Sequence, residues 1–410
     1  MGEQRVVIVG GGQAGVQVAD SLRSAGATGP ITIVADEAPV PYQRPPLSKD
    51  YMAKGGDPAP LPLRGGDFFA ERDIALHTGR AVVAIDREAR EVDLADGSRI
   101  PYDALVLATG ARNRDLKVPG SDLDGVLGLR TLEDAERLRS VVETARRVVV
   151  VGAGFIGLEF AAAARSHDIE VTVLEFAERP MGRALTPAMS DWFATAHGNI
   201  GVNLRLGEAI ATIEGAEGHV THVTSTRGHT YPADVVVMGV GVVPATELAL
   251  QAGLEVDNGI AVDAHLQTSD PHIWAVGDCV SFPSGHAGAR VRLESVQNAT
   301  DQARHVAQMI LGEERSPYGA VPWFWSNQGP YRLQIVGLVG PGMTSVVRGD
   351  PDANKFSVFV FDGDKLAAVE SVNSPADHMA ARRLLESGRG LTPQQAGDPA
   401  FDLKAYSRGA

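Results

Sequence analysis

The chain has 410 residues, 44% of them hydrophobic, and a formal net charge of -14 at pH 7. That length and apolar content fit two or three globular domains, and the acidic balance opposes nonspecific attraction to nucleic acid. A single cysteine, Cys279, excludes an internal disulfide and any CxxC or CxxxxC redox pair.

At the amino-terminal end, the β-branched run Arg5-Val6-Val7-Ile8-Val9 predicts a strand. It starts too early to leave room for a signal peptide, and every apolar stretch stops well short of the ~20 residues a membrane helix needs. A cytoplasmic location is expected.

Gly10-Gly11-Gly12-Gln13-Ala14-Gly15 predicts a tight turn, and the amphipathic stretch through Val18, Leu22 and Arg23 predicts a helix ending before Gly26. The next strand, Ile31-Thr32-Ile33-Val34, leads to Asp36-Glu37, an acid about 20 residues past the turn. The pattern recurs at Val148-Val149-Val150-Val151, Gly152-Ala153-Gly154-Phe155-Ile156-Gly157, an Ala-rich helix, and Val171-Thr172-Val173-Leu174 ending at Glu175. Small residues let backbone N–H groups approach a pyrophosphate at a helix N-terminus, while the later acid accepts hydrogen bonds from ribose hydroxyls. One glycine pattern alone is a weak signal. Two complete units predict two bound dinucleotides.

Similar strand endings, Asp103-Ala104-Leu105-Val106-Leu107-Ala108-Thr109-Gly110 and Asp234-Val235-Val236-Val237-Met238-Gly239-Val240-Gly241, predict matching crossovers. Leu116-Lys117-Val118-Pro119-Gly120 leads into an inserted second domain and Val242-Val243-Pro244 returns from it. Beyond about residue 320 the alternating runs Arg332-Leu333-Gln334-Ile335-Val336 and Phe356-Ser357-Val358-Phe359-Val360 predict a smaller α+β domain with a closing helix near 376–386. The 11 histidines offer no metal site, since His219 and His222 are three apart in a strand-like stretch and face opposite sides.

Four further segments are more specific: Pro41-Tyr42-Gln43-Arg44-Pro45-Pro46-Leu47-Ser48-Lys49, Ala275-Val276-Gly277-Asp278-Cys279, Pro322-Trp323-Phe324-Trp325-Ser326 and Ser371-Val372-Asn373-Ser374-Pro375. With them the chain resembles, over nearly its whole length, the two-dinucleotide-binding flavoproteins, and specifically the ferredoxin reductases that serve bacterial cytochromes P450 and ring-hydroxylating dioxygenases. The resemblance implies an α/β fold with two Rossmann-like dinucleotide-binding domains of the glutathione-reductase type plus a C-terminal α+β domain. It places an FAD-binding domain at 1–114 and 244–320, an NAD-binding domain at 115–243 and the last domain at 321–410.

By the same resemblance, Gly10, Gly12, Ala14 and Gly15 approach the FAD pyrophosphate, with Asp36 or Glu37 at its adenosine ribose. Arg44, Lys49, Val82, Arg130, Asp278 and Val296 surround FAD, and one of Trp323 and Trp325, expected to be Trp325, covers the flavin edge and helps dock the partner. Gly152, Gly154, Ile156 and Gly157 belong to the NADH pyrophosphate, Glu175 to its adenosine ribose and Gly241 to the nicotinamide side. Glu175 favours a 2′-hydroxyl over a 2′-phosphate, hence NADH over NADPH, unless Arg179 or Arg183 compensates.

Hydride transfer rests on positioning two cofactors rather than on a protein nucleophile. The resemblance puts Lys49 and Glu159 together beside the flavin as tuning residues; helical pattern alone leaves Glu159 facing solvent. Electrons are then expected to pass singly to a [2Fe-2S] ferredoxin, for which Arg64, Arg72, Arg290 and Arg292 are candidate docking residues. Asn327 and Gly329-Pro330 depart from the acidic and aromatic residues usual there. The alternatives are an NADH oxidase or peroxidase, whose usual cysteine is missing near Pro41-Tyr42, and an NADH-responsive interaction protein resembling apoptosis-inducing factor.

Overall fold

The computed structural model describes residues 3–57, 59, 61–313 and 316–409. The chain forms two compact units, one from 1–43, 61–112 and 243–322 and the other from 44–60, 113–242 and 323–410. No helix among the described residues is long and apolar enough to cross a membrane.

The first unit is built on a parallel five-stranded sheet in the order Ile273–Ala275, Ala104–Leu107, Val6–Val9, Ile31–Val34, Ile74–His77. Val6–Val9 and Ala104–Leu107 are buried at every position, as continuous β-branched and aliphatic runs require when helices cover both faces of a sheet. The crossover helix Gln13–Ser24 buries Ala14, Val18 and Leu22 and packs against the helix Val296–Ile310. An antiparallel strand trio, Val82–Asp86, Glu91–Leu94 and Arg99–Pro101, precedes the return to the sheet.

The second unit repeats this order. Its parallel sheet runs Val202–Leu206, Glu170–Glu175, Arg147–Val151, Val235–Met238, Val126–Leu127, and again an antiparallel trio, Ile210–Ala216, His219–Ser225 and Thr230–Pro232, precedes the chain's return to the sheet at Val235–Met238. The same unit carries an antiparallel sheet ordered Trp323–Gln328, Tyr331–Gly337, Lys365–Val372, Lys355–Asp362, Thr344–Asp350. The closing helix spans Pro375–Ser387, a residue longer at each end than its periodicity suggests, and two short helices, Pro393–Gly397 and Leu403–Arg408, follow that the sequence pattern did not announce. The expected α/β class, two Rossmann-like sheets plus a C-terminal α+β region, is the one observed.

The helix Pro187–Asn199 is tied to the C-terminal sheet at its start. Thr186 caps it, accepting from the Met189 N–H, with Pro187 at the first helical position, where a missing N–H costs nothing. The Thr186 N–H and hydroxyl in turn donate to the two oxygens of Glu370, at 2.8 and 2.6 Å, a side chain with no exposed surface. Burial pushes the Glu370 carboxyl up to about 7, against the two Thr186 hydrogen bonds and Arg179, which favour the charged form.

Because the folded chain holds this proton where an unfolded carboxyl near 4.5 has released it, Glu370's contribution to stability is largest at low pH. It falls as pH rises from about 4.5 to about 7 and is level above. Glu370→Gln is therefore expected to flatten the pH dependence of the unfolding temperature across that window. An unchanged slope between pH 5 and pH 8 would contradict the assignment.

Candidate functional site

The two glycine turns are built alike. Gly10 and Gly152 adopt φ of +119° and +104°, and their N–H groups donate to Val34 O and Leu174 O, each at 2.8 Å. A Cβ on Gly10 would lie 2.2 Å from Ala108 O, and one on Gly152 2.4 Å from Gly239 O, so a side chain is excluded at both by conformation and by space. The last glycine of each turn, Gly15 or Gly157, rides on the carbonyl of the first, where a Cβ would sit 2.0 or 2.3 Å from that oxygen.

Between them, Gly12 and Gly154 cap the helices Gln13–Ser24 and Phe155–Arg165 with extended backbones, and a Cβ on either meets no atom within 4 Å. No side chain caps either helix, and neither carries an acid in its first turn. Each turn thus presents uncapped N–H groups and a positive helix end to open space, the arrangement that suits a pyrophosphate.

In the first unit, Ala14 is buried, and Gly277 packs so closely on it that a Cβ there would come within 3.2 Å of the Ala14 methyl. This sets the short turn Gly277–Cys279, with Asp278, beside the first glycine turn; Gln302 holds it by accepting from the Gly277 N–H at 2.8 Å. Val296, half-buried, begins the helix Val296–Ile310, whose Thr300 hydroxyl accepts from Gln13. Val82 opens its strand half-buried. Asp36 is exposed, whereas Glu37 accepts from the Tyr42 hydroxyl. Cys279 is fully buried and burial pushes its thiol up, so it offers no ready thiolate.

In the second unit, Glu175 is buried at its strand end, its oxygens accepting from Ala153 N at 2.7 Å and Ala177 N at 2.9 Å. A carboxylate retains further lone pairs, so this both stiffens the turn and leaves acceptor capacity. Ile156 is 38% exposed just past the turn. Gly241, at φ +93°, accepts from Arg114 N and lies near the Arg183 guanidinium. The Arg44 guanidinium donates to Arg130 O at 2.8 Å, and the Arg130 backbone is fixed by Asp134 of the capping box that starts the helix Leu132–Val142.

Lys49 and Glu159 meet. The ammonium lies 2.6 Å from Glu159 Oε2 and 2.9 Å from Pro45 O, with Glu159 only 3% exposed. Glu159 does not face solvent: the helix Phe155–Arg165 turns that face onto the strand Trp323–Gln328. Phe155 packs on Phe324, ring centroids 4.7 Å apart, and one turn later Glu159 Oε1 accepts from Ser326 at 2.6 Å. Ser48 adds a third donor, 2.6 Å from Oε2. Removing either member of such a buried pair strands a charge at a cost of about 3–5 kcal/mol.

Trp325 and Trp323 lie on the strand's other face, 5.6 Å apart, with the Arg382 guanidinium over Trp323. Ser48, Ser326, Gln328 and His197, all buried and polar, carried no assignment in the sequence reading. The signal was available in the strand's alternation, which puts residues 324, 326 and 328 on one face.

The four arginines expected to form a basic patch do not stand free. Arg64 is bonded to Asp20 and Gln17, Arg72 to Ser24, Arg290 to Ser281 O and Val262 O, and Arg292 to Glu294. Arg64 and Arg292 are thus paired with acids of the first unit, whereas Arg72 and Arg290 are exposed.

Among the described residues, no group of three or more His, Cys, Asp or Glu side chains is placed to hold a metal ion. Residues 4–303 match the pyridine nucleotide-disulphide oxidoreductase family, and 323–407 match the reductase C-terminal family. Rhodocoxin reductase of Rhodococcus erythropolis is 52% identical over 97% of this chain and 93% of its own, and putidaredoxin reductase of Pseudomonas putida is 41% identical over 97% and 96%. Among solved structures, the ferredoxin reductase for the CYP199A2 system from Rhodopseudomonas palustris superposes with a TM-score of 0.96 at 49% identity, covering 98% of this chain and 99% of that one. The covalent putidaredoxin reductase–putidaredoxin complex gives 0.94 at 40% identity over all of both chains.

The turns yield a paired test. Gly157→Ala drives a methyl into Gly152 O and is expected to lower stability by about 1–3 kcal/mol. Gly154→Ala meets nothing and is expected to leave the unfolding temperature in place while weakening dinucleotide binding. Equal melting losses in calorimetry would refute this reading of the turn.

Proposed function

The chain belongs to the pyridine nucleotide-disulphide oxidoreductase family, and on that premise we propose that it is an NADH-dependent ferredoxin reductase acting with FAD in the cytoplasm. FAD, when bound, accepts hydride from NADH as an electron pair and gives electrons up singly, here to a [2Fe-2S] ferredoxin serving a cytochrome P450 or a ring-hydroxylating dioxygenase. The observation that carries the reading is the doubled turn: two uncapped helix N-termini, each facing open space and each followed by an acid at the end of the next strand.

FAD is assigned to the first turn, through Gly10, Gly12, Ala14 and Gly15, with Asp36 or Glu37 toward the ribose. Arg44, Lys49, Val82, Arg130, Asp278, Val296 and Trp325 complete its set. NADH is assigned to Gly152, Gly154, Ile156 and Gly157, with Glu175 at its ribose and Gly241 toward the nicotinamide. Lys49 and Glu159 are the tuning pair. Glu159 fixes the Lys49 ammonium, which also donates to Pro45 O, so a cation is held in one place without water's reorganisation. The buried, high-lying Cys279 thiol argues against a peroxidase-like course.

Mixing the yellow protein anaerobically with NADH in a stopped-flow instrument is expected to bleach the flavin absorbance rapidly, and a [2Fe-2S] ferredoxin added next is expected to be reduced. No bleaching would overturn the hydride step, and bleaching without reduction of any ferredoxin tried would overturn the partner. Glu175→Gln removes the charge that repels a 2′-phosphate and keeps an acceptor for the turn, so the NADH to NADPH ratio of kcat/KM is expected to fall roughly tenfold.

A further inference from the structure

The contacts of Glu159 do not end at Ser326. Gln328 Nε2 lies 3.1 Å from Ser326 Oγ, and Gln328 Oε1 lies 2.7 Å from His197 Nε2. Ser326, Gln328 and His197 each have 0% of their surface exposed. The row therefore runs through the interior of the second unit from the helix Pro187–Asn199, along one face of the strand Trp323–Gln328, to Glu159 and Lys49.

Chemistry fixes the direction of every bond in it. Lys49 can only donate, so Glu159 Oε2 accepts; a carboxylate paired with a lysine has no proton to give, so Ser326 also donates to it. With its one hydrogen used, Ser326 must accept from the Gln328 amide nitrogen. That turns Gln328 Oε1 toward His197, whose Nε2 must then carry the hydrogen. Burial pushes the His197 imidazolium down, and its Nδ1 has no hydrogen-bond partner among the described residues, both of which fit a neutral ring protonated at Nε2.

We infer that His197, Gln328 and Ser326 are positioning residues for hydride transfer, a one-way row of donors that holds the Glu159 carboxylate, and through it the Lys49 ammonium, in a single orientation. The inference rests on the reading that the Lys49–Glu159 pair serves that step. The amide is the weak link. A donor at position 197 keeps Gln328 Oε1 turned away from Ser326; without it the amide can rotate, offer Oε1 to the Ser326 hydroxyl and draw that donor off Glu159. His197 touches none of the reacting groups and acts only through the others.

The test uses the FAD-loaded protein and four variants, with thermal unfolding as a control on folding. His197→Phe and Ser326→Ala are expected to slow the limiting rate of flavin bleaching at saturating NADH on the order of tenfold, about what one hydrogen bond to a charged group carries, with the NADH Kd unchanged. His197→Gln keeps an N–H within reach of Gln328 and is expected to restore most of the rate. A second readout needs no turnover. In protein labelled with ¹⁵N-histidine, the resonance lost in His197→Gln identifies His197. It is expected to show the Nε2–H form and to shift in both Ser326→Ala and Glu159→Gln.

Wild-type rates in His197→Phe and Ser326→Ala, alongside a slow Glu159→Gln, would overturn the row and leave the pair's role standing. A wild-type rate in Glu159→Gln would overturn the pair's role and the inference with it. An unmoved His197 resonance in Glu159→Gln, or no rescue by His197→Gln, would equally overturn the row.

Discussion

A buried carboxylate organises the second unit. Placing Glu159 away from water costs several kcal/mol, and that cost is offset only where each oxygen is met by a donor of good geometry. Three donors meet it, Ser48, Lys49 and Ser326, each at 2.6 Å, and they arrive from two separate stretches of sequence. The segment around Ser48 and Lys49, the helix after the second glycine turn and the first strand of the C-terminal sheet are consequently joined at one point. Apolar side chains of similar volume can serve stability as well as such a pair, so its stabilising value alone does not account for it.

A second tie works in the same way. Glu370 meets the start of the helix Pro187–Asn199 and Gln328 meets its last turn through His197, so the C-terminal sheet grips that helix at both ends. The helix follows the strand of Glu175 in the chain, and the same carboxylate that is assigned to a ribose is hydrogen-bonded to the backbone of its own turn. Glu175 thus steadies the nucleotide turn from the strand end, while the C-terminal sheet holds both Glu159 and the helix that follows that strand.

Much of this was legible in the sequence where the constraint is local. Gly10, Gly15, Gly152 and Gly157 are demanded by carbonyls a few residues away or on the adjacent strand, so their spacing carries the turn geometry by itself. The parallel sheets were legible because strands buried on both faces must be apolar throughout. Of the partners of Glu159, Lys49 was expected through the resemblance, but Ser48 and Ser326 were not, because Glu159 lies in an Ala-rich helix whose pattern says nothing of what covers it and both serines are distant in sequence. Gln328 and His197 look like ordinary polar residues until the strand's alternation is combined with the helix that lies beneath it. The ion pair of Arg64 was likewise out of reach of the sequence, because Asp20 lies 44 residues away in the chain.

The departure at Asn327 and Gly329-Pro330 can now be placed. Asn327 is exposed, on the strand face opposite Ser326 and Gln328, and Gly329 and Pro330 are exposed in the turn to the next strand. Gly329 adopts φ +60°, which a side chain rarely tolerates, though a Cβ there would find only ordinary contact with Ala162 and Ile200. Gly329 therefore bears on backbone preference and surface, and the polar row behind it is separate from it. Substitutions at the exposed residues 327, 329 and 330 can change the surface without disturbing the donors that reach Glu159, because a strand separates its two faces residue by residue.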